Sequence, residues 1–234
     1  MIKEKILILG SKPDMIIPLI DFKKIYSSNA SAEIAKKYQK KINLIPHTCI
    51  VGAKNFIKIP EIQKRIISSQ PDELVIRSYK DKYINNFNNK LKKRFISNYD
   101  QIKIQSKFLN YGLYDLIFSE ISYEISIYKK INYLIKCIMH DEFLGFSTGI
   151  FAALYALKEN PDSQVFLSGI GFQGGDHYYG SGSMTKNRAR VDRKMFNRLQ
   201  KKYLDNIFIF DNDTKKSPSS NKIEFKNFIN INEL

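Results

Sequence analysis

Three short stretches of this chain carry residue types at spacings that suit chemistry. His177-Tyr178-Tyr179 follows a glycine-rich turn, in a chain with only three histidines and no tryptophan. Imidazole titrates near neutrality, so it can take or give a proton under ordinary conditions. The two tyrosine hydroxyls can donate to a phosphate oxygen. Ser147-Thr148-Gly149 leads into the small, apolar run IFAALYAL. Hydroxyls at a helix start, beside free N–H groups and the positive end of the helix dipole, make an anion site. Gly10-Ser11 ends the apolar run KILIL and offers backbone N–H groups at a strand end. The plainer alternatives are a simple turn at Gly10, a helix cap at 147–149 and a solvated loop histidine. Asp192, inside a basic stretch, reads first as an i,i+4 ion-pair partner. A phosphate held by helix N–H groups and tyrosine hydroxyls needs no metal. No DxD-like acidic pair sits at a strand end, so no metal site is expected.

The elements that must position these residues follow from the apolar pattern. KILIL (5–9) predicts a buried strand, with the apolar segment MIIPLI after the turn. A second strand is expected at 25–27, then a helix over SNASAEIAKKYQKKI, capped by Asn29 or Ser31. LIPHTCIVG gives a third strand, PEIQKRIISS a helix and PDELVIRSY a fourth strand around 74–77. Residues 146–159 predict a helix whose alanines let it lie close to a sheet. QVFLSGIGF predicts a fully buried parallel strand. NRARVDRKMFNRLQKKY predicts an amphipathic helix with Val191, Met195, Phe196 and Leu199 inward, and NIFIF a last strand. Residues 80–135 are aromatic, basic and mostly helical by period, an insertion that is either a lid or acceptor segment or plain padding. Strands and helices alternate throughout, which predicts one α/β domain over 1–234: a three-layer sandwich on a mostly parallel sheet. In such sheets ligands bind beyond the carboxyl ends of the strands, where all three stretches fall.

Composition narrows the classes. The 234 residues carry a formal net charge of +15, which favours anionic partners: nucleotide-sugars, acidic glycolipids, a membrane surface or nucleic acid. The bland alternative is a solubilising surface. Cys49 and Cys137 lie far apart without metal spacing, which suggests a reducing compartment. The apolar run at the start is too short for a signal peptide or membrane span, so a cytoplasmic protein is expected, peripheral at most on the inner face of a membrane.

The blocks STGIFAALYAL, QVFLSGIGF and HYYG are similar to the helix–strand–loop core of sialyltransferases that use a CMP-activated sugar, the bacterial lipooligosaccharide enzymes and the eukaryotic Golgi enzymes. Those families have a [ST]-[ST]-G segment, a small apolar helix and a strand ending S/Y-G-I/F-x-F. The eukaryotic enzymes follow it with a histidine-tyrosine-tyrosine motif, which His177-Tyr178-Tyr179 resembles. ILILGSKPD resembles the strand and G-N-G-P-S turn that holds the nucleotide. IYSSNAS resembles the second strand, whose closing Asn contacts the cytidine nucleotide and maps to Asn29. The resemblance involves roughly half of the chain, and the 146–180 block is its specific part.

That resemblance implies a GT-A-like, Rossmann-type fold with a helical lid or insertion. It implies that Gly10, Ser11, Asn29, Ser147, Thr148 and Gly149 line a CMP site, with Gly169 and Gly171 at the strand-end motif. Tyr179 would support the departing phosphate. Lys12 stands in an altered turn and either adds a charge near a phosphate or points to solvent. The family's general base is a histidine just before the helix that follows the lid; here the counterpart, Lys186 to Asp192, has none, and Asn187 or Arg188 stands in its place. Either His177 takes over, or another residue such as Asp176 acts, or the chemistry differs. The implied activity is transfer of sialic acid or a related keto-sugar acid from a CMP-sugar to a glycan or glycolipid acceptor, with no cofactor beyond the donor and a place in lipopolysaccharide biosynthesis. Two other classes stand beside it. A nucleotide-binding α/β protein without catalysis is favoured by the missing histidine. A basic nucleic-acid-binding protein is suggested by charge alone, and opposed by the lack of an aromatic–basic stacking pattern or a recognition helix.

Overall fold

Side chains of a strand alternate between its two faces. In β1 (Lys5–Leu9), Ile6 and Ile8 enter one apolar cluster and Leu7 and Leu9 another, and all four are buried. A strand covered on both faces is the mark of a central parallel strand with helices above and below. The computed structural model describes residues 3–78, 91–110, 126–128, 131–132, 135, 146–172, 175–180, 183–184, 186–203, 206–210 and 228–234. Among the described residues seven strands form one sheet. In spatial order they are β10 (Ile207–Phe210), β7 (Gln164–Ser168), β1, β3 (Lys24–Ser28), β4 (His47–Gly52), β5 (Glu73–Arg77) and β6 (Lys93–Ile96). Every pairing among them is parallel.

Helices cover both faces, giving the three-layer α/β sandwich that the alternating pattern predicts. On one side, α5 (Thr148–Glu159) crosses β1, β3, β4 and β7. Its residues from Gly149 to Leu157 are all buried, as a helix apolar on every face must be. α4 (Asn98–Leu109) and α6 (Lys186–Lys202) pack outside it, and Val191, Met195, Phe196 and Leu199 of α6 point inward as their spacing requires. On the other side lie α1 (Ala32–Lys41), the short α2 (Ala53–Lys58) and α3 (Pro60–Ser69).

Three local features differ from the sequence pattern. Part of MIIPLI is β2 (Ile16–Pro18), which pairs antiparallel with β11 (Phe228–Asn230) from the far end of the chain. Such a pair is set by a contact more than 200 residues apart, which no local window reports. Within the stretch read as mostly helical, Lys93–Ile96 is the edge strand of the main sheet and Asn98–Leu109 packs against α5; the remainder of 80–135, with any lid, falls almost wholly outside the described residues. The helix after β3 begins at Ala32 with no side-chain cap. Ser31 turns inward instead, accepting from the Ser28 N–H and donating to Leu9 O at 2.9 Å each.

Candidate functional site

From β1 the chain steps to β3 on one side, while β7 flanks β1 on the other. The carboxyl end of β1 is therefore a topological switch point, where a crevice opens in doubly wound sheets. Two turns are laced together there. Gly10 N–H donates to Ser168 O (2.7 Å) and Lys12 N–H to Gly169 O (3.1 Å). A Cβ on residue 10 would stand 2.0 Å from Gly169 O, so this crossing of backbones admits only glycine. Gly169 itself is left-handed, with φ of +69°.

Above this crossing lies an open cleft of about 450 Å³, solvent included. The first turn contributes Gly10, Ser11 and Lys12. The end of β3 contributes Asn29, joined by Ser28, and the start of α5 contributes Ser147, Thr148 and Gly149. Gly169 and Gly171 come from the end of β7, with Ile170 between them, and Asp176 and His177 from the segment after it. Eleven residues that sequence reasoning assigned to a site, scattered over 168 positions, thus meet in one place; Ser28, Ile170 and Gly175 also line it without having been foreseen.

Asn29 is held in the left-handed region, φ +54°, just past β3. It is mostly buried, yet its Oδ1 has no hydrogen-bond partner among the described residues. A buried acceptor left unmatched costs about 1–3 kcal/mol; the residue lines the cleft, while this oxygen is shielded from solvent. Behind it the Cys49 thiol reaches Asn29 O (3.6 Å), and burial pushes that thiol up to about 12, well out of the reactive range. Next along the sheet, Ser27 Oγ meets His47 Nε2 at 2.7 Å. Cys137 lies outside the described residues.

The α5 N-terminus is held from both sides by buried charge. The Ser147 hydroxyl accepts from Ile150 N–H (3.5 Å), as a cap should. The peptide joining Phe146 to Ser147 is gripped at each end: Arg77 Nη2 donates to Phe146 O (3.1 Å), and Ser147 N–H donates to Asp192 Oδ1 (2.9 Å). Arg77 also donates to Gln101 Oε1 (2.7 Å) and lies over the Phe151 ring. Asp192 is fully buried. Its bond to the Ser147 N–H makes it a structural strut for the cleft. Sequence reasoning passed over Arg77 altogether; a lone arginine closing an apolar strand was its one visible signal.

The glycine-rich segment is a small hairpin, β8 (Gly175–Asp176) against β9 (Ser183–Met184). Gly175 has φ of +109°, and Gly180 N–H closes a turn onto His177 O (2.9 Å). His177 Nδ1 meets Ser11 Oγ at 2.9 Å, and its ring stacks on Tyr179 at 5.0 Å with planes 6° apart. Burial lowers the His177 pKa from its ordinary value, with Asp176 pulling the other way. The two tyrosines stand behind the histidine rather than in the cleft lining. Tyr179 is pushed up to about 12 by burial, against a hydrogen bond with Ser11 that lowers it. Tyr178 donates its hydroxyl to Ala30 O (2.6 Å), so that hydroxyl is committed to the protein and not to a phosphate. Asn187 and Arg188 lie in the first turn of α6, and their side chains fall outside the described part.

Lys12 is the one basic side chain among the described residues lining the cleft, and Asp176 the one carboxylate. The Lys12 side chain is 13% exposed and ion-paired with Asp14 at 3.5 Å, so it is held inward rather than released to solvent. With the α5 N-terminus, it gives the cleft a positive end suited to an anion. Among the described residues no group of three or more His, Cys, Asp or Glu is placed to hold a metal ion, and no helix is long and apolar enough to cross a membrane.

Among solved structures, the chain is similar to the apo crystal structure of an α-2,3-sialyltransferase from Campylobacter jejuni, with 15% identity, a TM-score of 0.49, and 97% of this chain and 84% of that one covered. No family model and no curated protein matches the chain.

Proposed function

We propose that this protein is a glycosyltransferase that moves sialic acid or a related keto-sugar acid, such as Kdo, from a CMP-sugar to a hydroxyl of a glycan or glycolipid. The observation that carries the reading is a single switch-point cleft bringing together a helix N-terminus, two glycine-built turns, Asn29 and an imidazole. The motif resemblance of residues 146–180 supplies the donor class. In this reading the acceptor hydroxyl attacks the anomeric carbon and its proton passes to His177 Nε2. The bond from that carbon to the phosphate oxygen breaks, and its electron pair leaves with CMP. For Nε2 to accept, Nδ1 must carry the ring's proton and donate it to Ser11 Oγ, the contact observed at 2.9 Å. The lowered pKa of His177 keeps the ring neutral at pH 7, as a base must be. Helix N–H groups and Lys12 face the charge that grows on the phosphate.

A thermal-shift panel of cytidine, uridine, guanosine and adenosine nucleotides tests the donor class. Stabilisation selective for cytidine is expected, and an equal response to all four refutes it. His177→Ala should lower turnover roughly 10²–10⁴-fold; near-wild-type turnover would move the role to Asp176. The basic surface is proposed to hold the enzyme at an anionic membrane near lipid-linked acceptors, with raised salt releasing it from anionic vesicles.

A further inference from the structure

Residue 178 ties together several of the elements around the cleft. Its backbone N–H donates to Ser11 O (3.0 Å), in the turn after β1. Its hydroxyl donates to Ala30 O (2.6 Å), one residue past Asn29. Its ring meets Tyr179 edge-on at 5.4 Å, and Tyr179 in turn stacks flat on His177. On the ring's outer side lies the Arg65 guanidinium, 5.3 Å from the centroid. Arg65 is itself fixed: Nε donates to Glu61 Oε1 (2.6 Å) on its own helix, and Nη1 donates to Glu33 of α1. A planar cation held by two carboxylates can lie flat on a ring in a way a lysine cannot reproduce.

We infer that Arg65 and Tyr178 are positioning residues, a clamp from α3 and α1 onto the hairpin that sets the His177 ring against Ser11. The hairpin's own pairing is slight, so its seat depends on contacts outside it; besides those of Tyr178, His177 and Tyr179 both reach Ser11. The hairpin's strands are two residues each, Gly175 and Gly180 are left-handed, and Gly175 and Asp176 are exposed. Two-residue strands are too short to be stable alone. A ring in contact with both the Arg65 cation and Tyr179 gives such a hairpin a fixed seat. That His177 handles a proton rests on the glycosyltransferase reading; that the clamp seats its ring does not.

The test uses the full chain labelled with ¹³C-histidine, whose three histidines give a simple imidazole spectrum, with the His177 signal identified by its loss in His177→Gln. Its charged and titratable surroundings are Asp176, Tyr179 and Lys12 at the cleft, with Arg65 and Glu33 beyond Tyr178. Two conservative variants are compared with wild type: Tyr178→Phe, which keeps the ring but removes the hydroxyl's bonds to Ala30 O and Arg65, and Arg65→Lys, which keeps the charge facing Glu33 and Glu61 but loses the planar fork. In both, the His177 signal should shift and its titration midpoint rise toward the ordinary value of about 6.5 as the ring loosens into solvent. Arg94→Gln, which breaks a separate network with Glu73 and Glu159 at the sheet edge, should leave that signal unmoved. A His177 signal unchanged in both clamp variants overturns the inference, as does an equal shift in Arg94→Gln, which would mark general loosening. If wild type turns over a CMP-sugar, each clamp variant should lose kcat by up to about 100-fold with KM for the donor little changed. If it turns over none, the donor reading fails, and the spectra still decide the clamp.

Discussion

His47 should make this protein acid-sensitive by an amount that can be worked out. It sits at the start of β4, almost wholly buried, with Nε2 on Ser27 Oγ and no partner for Nδ1 among the described residues. Burial lowers its pKa to about 4; Asp72, whose carboxylate accepts the His47 backbone N–H (2.8 Å), opposes that shift, and Lys36 adds to it. Above about pH 6.5 the ring is neutral in both folded and unfolded chains and contributes nothing to their balance. Below that value the unfolded chain takes up a proton that the folded one refuses, so stability falls as pH drops. The loss from this one group is roughly 2 kcal/mol at pH 5 and levels off near roughly 3 kcal/mol below pH 4. His47→Gln keeps a polar reach toward Ser27 but cannot titrate. Urea unfolding of wild type and variant at steps from pH 7.5 to 4.5 isolates the effect, because every other group cancels in the difference. The wild-type curve should fall away from the variant's below about pH 6.5. Parallel curves would refute the neutral, buried imidazole. The consequence reaches the cleft, because Ser27 and Cys49 stand side by side on neighbouring strands, and Cys49 holds Asn29 O.

The two cleft glycines should separate by what their missing Cβ would strike. Gly10→Ala puts a methyl into the Gly169 backbone and should cost at least about 2–3 kcal/mol in urea unfolding; Gly149→Ala meets only the movable end of Ile170, at 2.6 Å, and should stay within about 1 kcal/mol of wild type. Asn29→Ala keeps a left-handed φ without an amide and should lose about 1–2 kcal/mol, whereas Asn29→Gly should fold as well as wild type. Both Asn29 variants should lose stabilisation by CMP in a thermal-shift assay, which separates the amide's role from the backbone's. Asp192→Ala strands the Ser147 N–H and should cost about 1–3 kcal/mol, with Asp192→Asn recovering much of it by thermal melting.

What the sequence made legible, and what it hid, divides along one physical line. Strands buried on both faces, such as KILIL and QVFLS, announce themselves as unbroken apolar runs, and glycines forced by close backbone approach stand where those runs stop. Those local signals were enough to bring residues from Gly10 to His177 into a single cleft. Hidden were the features whose cause is a distant partner: the β2–β11 pair, the edge strand Lys93–Ile96, and the tasks of Tyr178 and Asp192. A tyrosine and an aspartate look the same in a sequence whether they face a ligand or brace the wall behind it. The Phe146–Ser147 peptide shows why bracing matters. A helix N-terminus attracts an anion only if its first N–H groups are held still and aimed outward, because dipoles that must reorient on binding give back much of what they gain. Arg77 and Asp192 fix that peptide through opposite ends of its own dipole, the cation on its oxygen and the carboxylate on its nitrogen. Each buried charge would be costly alone, and a buried charge is tolerated where it is hydrogen-bonded. Their opposed placement on one peptide unit makes the start of α5 a rigid electrode facing the cleft, which neither the serine–threonine–glycine motif nor the helix behind it could provide alone.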